Sequence, residues 1–171
     1  MHAQVLRAAA EQMPYLGEVQ EGARLADRAI RLDPHLPPGN KNGLIEPYFY
    51  AGRFQQVIEI ATSMPEETRN KWTVMDLAIS YAYLNRTNEA KAAKAAYLER
   101  FGDTSAEQWL MERQAYVRQQ ELDWFVNGFR QLGLPICATE AYLAKVTNPA
   151  RLPECVKVDR SVRDTNLLSR E

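Results

Sequence analysis

The chain reads as an all-α protein, built from antiparallel helix hairpins stacked as a right-handed solenoid of about three repeats and closed by a terminal helical cap. Two observations predict this class. A short phrase recurs as Tyr15-Leu16-Gly17, Tyr50-Ala51-Gly52-Arg53 and Tyr83-Leu84-Asn85-Arg86, with 35 residues from the first tyrosine to the second and 33 from the second to the third. The apolar residues before it keep register, since Leu44, Ile45 and Tyr48 return 33 positions later as Leu77, Ala78 and Tyr81. A self-similar period near 34 is that of two helices joined by a turn. An i, i+1, i+4 pattern puts all three side chains on one helix face.

In the first unit, Leu6, Ala9, Ala10 and Met13 supply the equivalent face. Each recurring phrase then marks the turn. Gly17 and Gly52 suit the left-handed conformation that such a turn uses, and Asn85 is the next most tolerant residue there. The second helix of each unit presents small or medium residues inward: Gly22, Ala26 and Ala29, then Val57, Ala61 and Met64, then Ala90 and Tyr97. Small side chains let paired helices approach closely. Asp33-Pro34, Pro65 and Phe101-Gly102-Asp103 end the three units. Pro47, together with Gly39 and Gly43, falls inside the first helix of the second unit and predicts that this helix starts late or breaks.

A fourth hairpin follows as the cap. Ser105 and Gln108 have capping-box spacing, a helix continues through Trp109, Glu112 and Arg113 to about Arg118, and Leu122, Phe125, Val126 and Phe129 form an apolar stripe that stops at Gly133-Leu134-Pro135. The repeat domain is therefore placed at 1–135. Residues 136–171 are expected to be a tail with one short helix within Thr139–Val146 and a flexible polar end.

These residues resemble tetratricopeptide repeats over about 3–102: a large and a small residue side by side in the first helix, a tyrosine four on, a Gly-Arg turn, and the ending Ala29-Ile30-Arg31-Leu32-Asp33-Pro34. A narrower resemblance is to the C-terminal tetratricopeptide region of bacterial multidomain adenylate/guanylate cyclases. It is carried by that ending, by Tyr50-Ala51-Gly52-Arg53-Phe54 and by Gly128-Phe129-Arg130-Gln131-Leu132-Gly133-Leu134-Pro135. Related repeats also follow winged-helix domains in some transcriptional regulators. In such proteins the catalytic or DNA-binding domain lies upstream, so the resemblance brings neither activity to this chain. It implies a module that binds a protein or peptide, positions an upstream enzymatic domain, or associates with its own copy.

Charge and motifs narrow the remaining classes. The 21 basic and 22 acidic residues leave a net charge of −1, which argues against nucleic acid as the partner. No apolar run approaches the length of a membrane span, and the N-terminus lacks a signal pattern, so a cytoplasmic location is expected. No phosphate loop or dinucleotide fingerprint occurs. Gly39-Asn40-Lys41-Asn42-Gly43 reads as a connector, and His2 and His35 have no converging ligand partners. No cofactor, metal or catalytic residue is assigned, and a small enzyme on a helical scaffold is the remote alternative. Cys137 and Cys155 read as reduced thiols. The alternative, a disulfide closing the tail, requires an oxidising compartment.

The resemblance places the first helix of each unit along a concave groove. Groove-facing positions then hold Arg7 and Glu11; Asn42, Glu46 and Tyr50; and Trp72, Met75, Asp76 and Tyr83. Aromatic and Met anchors with interspersed charge suit peptide capture. Tyr50 and Tyr83 recur with the repeat, so packing explains them equally well, whereas packing explains Trp72 and Asp76 less readily. The basic clamp for a C-terminal carboxylate that chaperone-binding members carry is not reproduced.

Overall fold

A computed structural model describes residues 2–113 and 119–156, and among these every regular element is helical. The α-helices are α1 (Ala3–Gln12), α2 (Val19–Leu32), α3 (Pro38–Tyr50), α4 (Phe54–Thr62), α5 (Lys71–Tyr83), α6 (Thr87–Phe101), α7 (Ala106–Arg113), α8 (Gln119–Gln131) and α9 (Glu140–Leu143). No helix of the described residues is long and apolar enough to cross a membrane.

Three hairpins form for the same local reason. Gly17, Gly52 and Asn85 have φ of 81°, 71° and 57°. At each, the following amide donates back five residues: Glu18 to the Met13 carbonyl, Arg53 to Tyr48 and Arg86 to Tyr81, all at 2.9 Å. A left-handed residue thus satisfies helix-end carbonyls while reversing the chain. The returning helix packs on its predecessor, pairing α1 with α2, α3 with α4 and α5 with α6, and the pairs are joined through α2–α3, α4–α5, α1–α3 and α3–α5. The inward small residues make this possible. Ala26, Ala29 and Ala61 are fully buried, and a Cβ on Gly22 would stand 3.1 Å from the Ala10 carbonyl oxygen. One side-chain motif repeats with the backbone: Arg53 covers the Tyr48 ring at 4.9 Å, and Arg86 covers Tyr81 at 4.8 Å.

The late start or break expected in the second unit does not occur. α3 runs from Pro38 to Tyr50 through Gly39, Gly43 and Pro47. Pro38 sits at the start, where its missing amide costs nothing. Pro47 comes late, and the carbonyl its ring crowds, four residues back, belongs to glycine. Leu44, Ile45, Tyr48, Phe49 and Tyr50 are all buried, and this burial outweighs the poor intrinsic propensity.

The fourth pair is packed differently. α8 lies on α5, where Gly128 meets Ile79 so closely that a Cβ would overlap its Cγ2. Ser105 caps α7 by accepting the Gln108 amide at 3.1 Å. The expected extension of this helix to Arg118 falls outside the described residues beyond Arg113, as does the polar end of the chain from 157.

The reading of Cys137 and Cys155 as free thiols is corrected, because the two are joined in a disulfide, with Cα atoms 5.3 Å apart. The chain returns here because Glu107, on α7 and fully buried, gathers both ends of the segment. Its carboxylate accepts from the Ala138 amide (2.9 Å), the Leu152 amide (2.9 Å) and Arg151 Nε (2.8 Å). The Ala106 and Glu107 amides meanwhile donate to the Pro135 and Ile136 carbonyls. Residues 136–156, expected as a tail, form a clip over the start of α7, and their only α-helix is the single turn of α9.

Candidate functional site

The residues singled out for the groove come from α1, α3 and α5, which lie side by side. Arg7, Glu11, Asn42, Glu46, Trp72 and Asp76 line a single cavity of about 130 Å³. Tyr50, Met75 and Tyr83 do not line it.

Helical spacing explains how the cavity is built. Arg7 and Glu11 are four apart on α1 and pair at 2.6 Å. Gly43 of α3 makes room for them, since a Cβ there would stand 2.7 Å from Arg7 Nη1. Asn42 ties α3 to the start of α5. Its amide nitrogen donates to the Thr68 carbonyl at 2.9 Å, and its Oδ1 accepts from Thr73 Oγ1 at 2.6 Å and from the Asn70 amide at 3.2 Å. Asn70 in turn caps α5 by accepting the Thr73 amide. Asn42 is therefore fully engaged in structure. Arg7 Nε, by contrast, is buried without an acceptor among the described residues.

The deep end of this face is filled from within the chain. Arg113, at the end of α7 and only 3% exposed, donates through both terminal nitrogens to Asp76, at 3.2 and 3.3 Å, and through Nε to Glu46 at 3.0 Å. Its guanidinium lies 4.2 Å from the Trp109 ring centre, 5.1 Å from Tyr50 and 5.6 Å from Trp72. Trp109 meets Trp72 edge-on at 5.0 Å. Further along, Tyr83 stacks on Phe54 at 4.6 Å and donates its hydroxyl to the Trp124 carbonyl at 2.7 Å. Trp124 also covers Gly52.

Several groove assignments therefore change. Tyr50, Met75 and Asp76 are buried. Asp76 reads as unexplained by packing only while Arg113 is unknown, and in the structure it is that arginine's counterion. Trp72 likewise packs against Trp109. Sequence reasoning missed Trp109, Arg113 and Trp124. A signal existed: an aspartate between Met75 and Leu77, in a helix apolar on both sides, requires a cation. Trp109 and Arg113 stand four apart on α7, the helix that supplies that cation.

Electrostatics follow from this packing. Burial raises the Asp76 pKa to about 6; the Arg113 guanidinium works against this rise, and Glu46 adds to it. Burial also disfavours charge on Arg113, yet Asp76, Tyr50 and Glu46 outweigh it and its pKa is raised. The Tyr15 hydroxyl, which donates to Glu46 at 2.9 Å, is pushed up to about 12 by burial and by that carboxylate. Among the described residues, no group of three or more His, Cys, Asp or Glu is placed to hold a metal ion. No protein-family model, curated protein or solved structure matches the chain.

Proposed function

We propose that the chain is a tetratricopeptide-like protein-interaction module: a right-handed stack of helix hairpins that receives a protein or peptide on its concave face, at the end formed by α1 and α3. The cavity beside Arg7 and Glu11 carries this reading. Polar groups from α1, α3 and α5 line it, together with Arg113 of α7. Arg7 Nε is a buried donor with no acceptor among the described residues, which a carboxylate or carbonyl of a bound segment would satisfy. A volume of about 130 Å³ lies below the roughly 300–1,000 Å³ of small-molecule sites. It fits one inserted side chain or chain end, with Trp72 as the apolar wall. The reading assigns no catalytic residue.

Capture of partner proteins by the intact chain, compared with an Arg7→Glu, Glu11→Lys variant, tests it. Both substitutions change the lip of the cavity and leave the buried Arg113–Asp76 pair alone. Partner recovery should fall in the variant, and equal recovery by both proteins sinks the assignment.

A further inference from the structure

A second surface is built where α6 and α8 meet α5. α6 and α8 both pack on α5, yet they make at most marginal contact with each other. The gap between them is bridged by Lys94, whose Nζ donates to the Leu132 carbonyl at 2.7 Å. Two cavities lie in tandem across this bridge, sharing Lys94 and Gly133. One, of about 520 Å³, runs past Tyr83 and Asn85. The other, of about 620 Å³, runs under the clip past Leu98, Leu134 and Tyr142.

The trough is one-sided in charge. Its lining holds Lys91, Lys94, Arg130 and Lys145 against a single acid, Asp103. The whole chain carries 21 basic and 22 acidic residues, so this is a local concentration and not a sample of the average. Arg130 is paired with Glu154 at 2.5 Å. The other three cations meet no carboxylate among the described residues. Lys94 spends its hydrogen bond on a neutral carbonyl, and Lys91 and Lys145 are exposed.

We infer that this trough is a docking surface for an extended segment of a partner protein in which acidic and apolar residues alternate. Lys91 and Lys94 stand three apart on α6, so they lie on one wall about 5–6 Å from each other at Cβ. An extended peptide places residues i and i+2 on one side, about 6.6–7 Å apart, which matches two carboxylates to this lysine pair. The intervening side chains then face the clip side, where the exposed Pro135 and Ala141 and the half-buried Tyr142 offer apolar surface. A nucleic acid is the poorer fit: its phosphates call for a longer run of cations, and the chain as a whole is weakly acidic.

Fluorescence anisotropy of a short labelled peptide alternating glutamate and leucine, titrated with the full chain in its disulfide form, tests the inference. The peptide should bind, bind more weakly as salt is raised, and lose on the order of tenfold in affinity to Lys91→Glu, Lys145→Glu. Both substituted residues are exposed, so circular dichroism should show an unchanged fold. Lys41→Glu, on α3 and away from the trough, should bind as the wild type does. The inference is overturned if the wild type does not bind, or if the Lys91/Lys145 variant binds as well. Equal binding of a lysine–leucine peptide or of a single-stranded oligonucleotide overturns it too. None of these outcomes bears on the Arg7–Glu11 cavity, which shares no lining residue with the trough.

Discussion

Replacing Arg113 with methionine keeps most of the side-chain volume and removes the charge. Asp76 is then left fully buried beside Glu46 with no cation. Breaking a buried ion pair by removing one partner costs about 3–5 kcal/mol, because the remaining charge stays desolvated. For a chain of this size such a loss lowers Tm by roughly 6–20 °C. The cost should depend on pH in a definite direction. Asp76 titrates near 6 in the folded protein, above its value of about 3.9 in an unfolded chain. Between these values the folded state binds the extra proton, so this group favours folding as pH falls through 6 and opposes it above. Removing Arg113, which holds that pKa down, enlarges the effect. Urea denaturation of Arg113→Met should therefore show its deficit at neutral pH and recover part of it near pH 5. A second variant, Arg113→Met with Asp76→Leu, removes both charges and should regain most of the lost stability, since a buried pair is replaceable by apolar residues at little cost. A single variant within about 1 kcal/mol of wild type, or a double variant no better than the single, would refute the pairing as the source of stability.

Three more outcomes are expected. Reducing the disulfide, or replacing Cys137 and Cys155 by serine, opens a loop with an 18-residue separation. It should cost about 3 kcal/mol, seen as a lower urea midpoint and as new proteolytic cleavage within 136–156. The Glu107 carboxylate has its pKa lowered: burial works to raise it, but the Ala138 amide, Arg151 and the Leu152 amide prevail. Its contribution is thus present at neutral pH and lost as pH falls below the ordinary glutamate range, and hydrogen exchange at the clip in Glu107→Gln should lack that acid-induced rise. Gly128→Ala should destabilise the protein by about 1–3 kcal/mol through its clash with Ile79, despite alanine's better helix propensity, and Ile79→Ala in the same chain should relieve the clash in thermal melts.

The sequence discloses what is decided locally. Gly17, Gly52 and Asn85 each fix a reversal through their own φ, and a fixed period reports them. α3 is where local signals mislead, because Pro47 and two glycines argue against a helix that five buried neighbours then impose. The site is legible only in part. Arg7 and Glu11 share a face of α1 by their spacing of four, and only the repeat resemblance sets Asn42 beside them. What fills the rest of that face depends on Arg113, which reaches Glu46 across 67 residues, and no periodicity encodes such a meeting. The cystine is hidden for the same reason, because Glu107 decides where the two thiols meet.

The reach of Arg113 also bears on how the molecule comes apart. Helices packed only on their neighbours behave almost as a one-dimensional chain, and such chains fray from their ends unit by unit. Arg113 joins the C-terminal pair not to the adjacent helix alone but to α3 and α5 together. Loss of the last pair therefore withdraws a counterion from the middle of the stack, and the end cannot melt without weakening the centre. A protein wired in this way should open in one step from that side, while its α1 end, tied to Glu46 by the neutral Tyr15 hydroxyl and not by an ion pair, is where stepwise opening should begin.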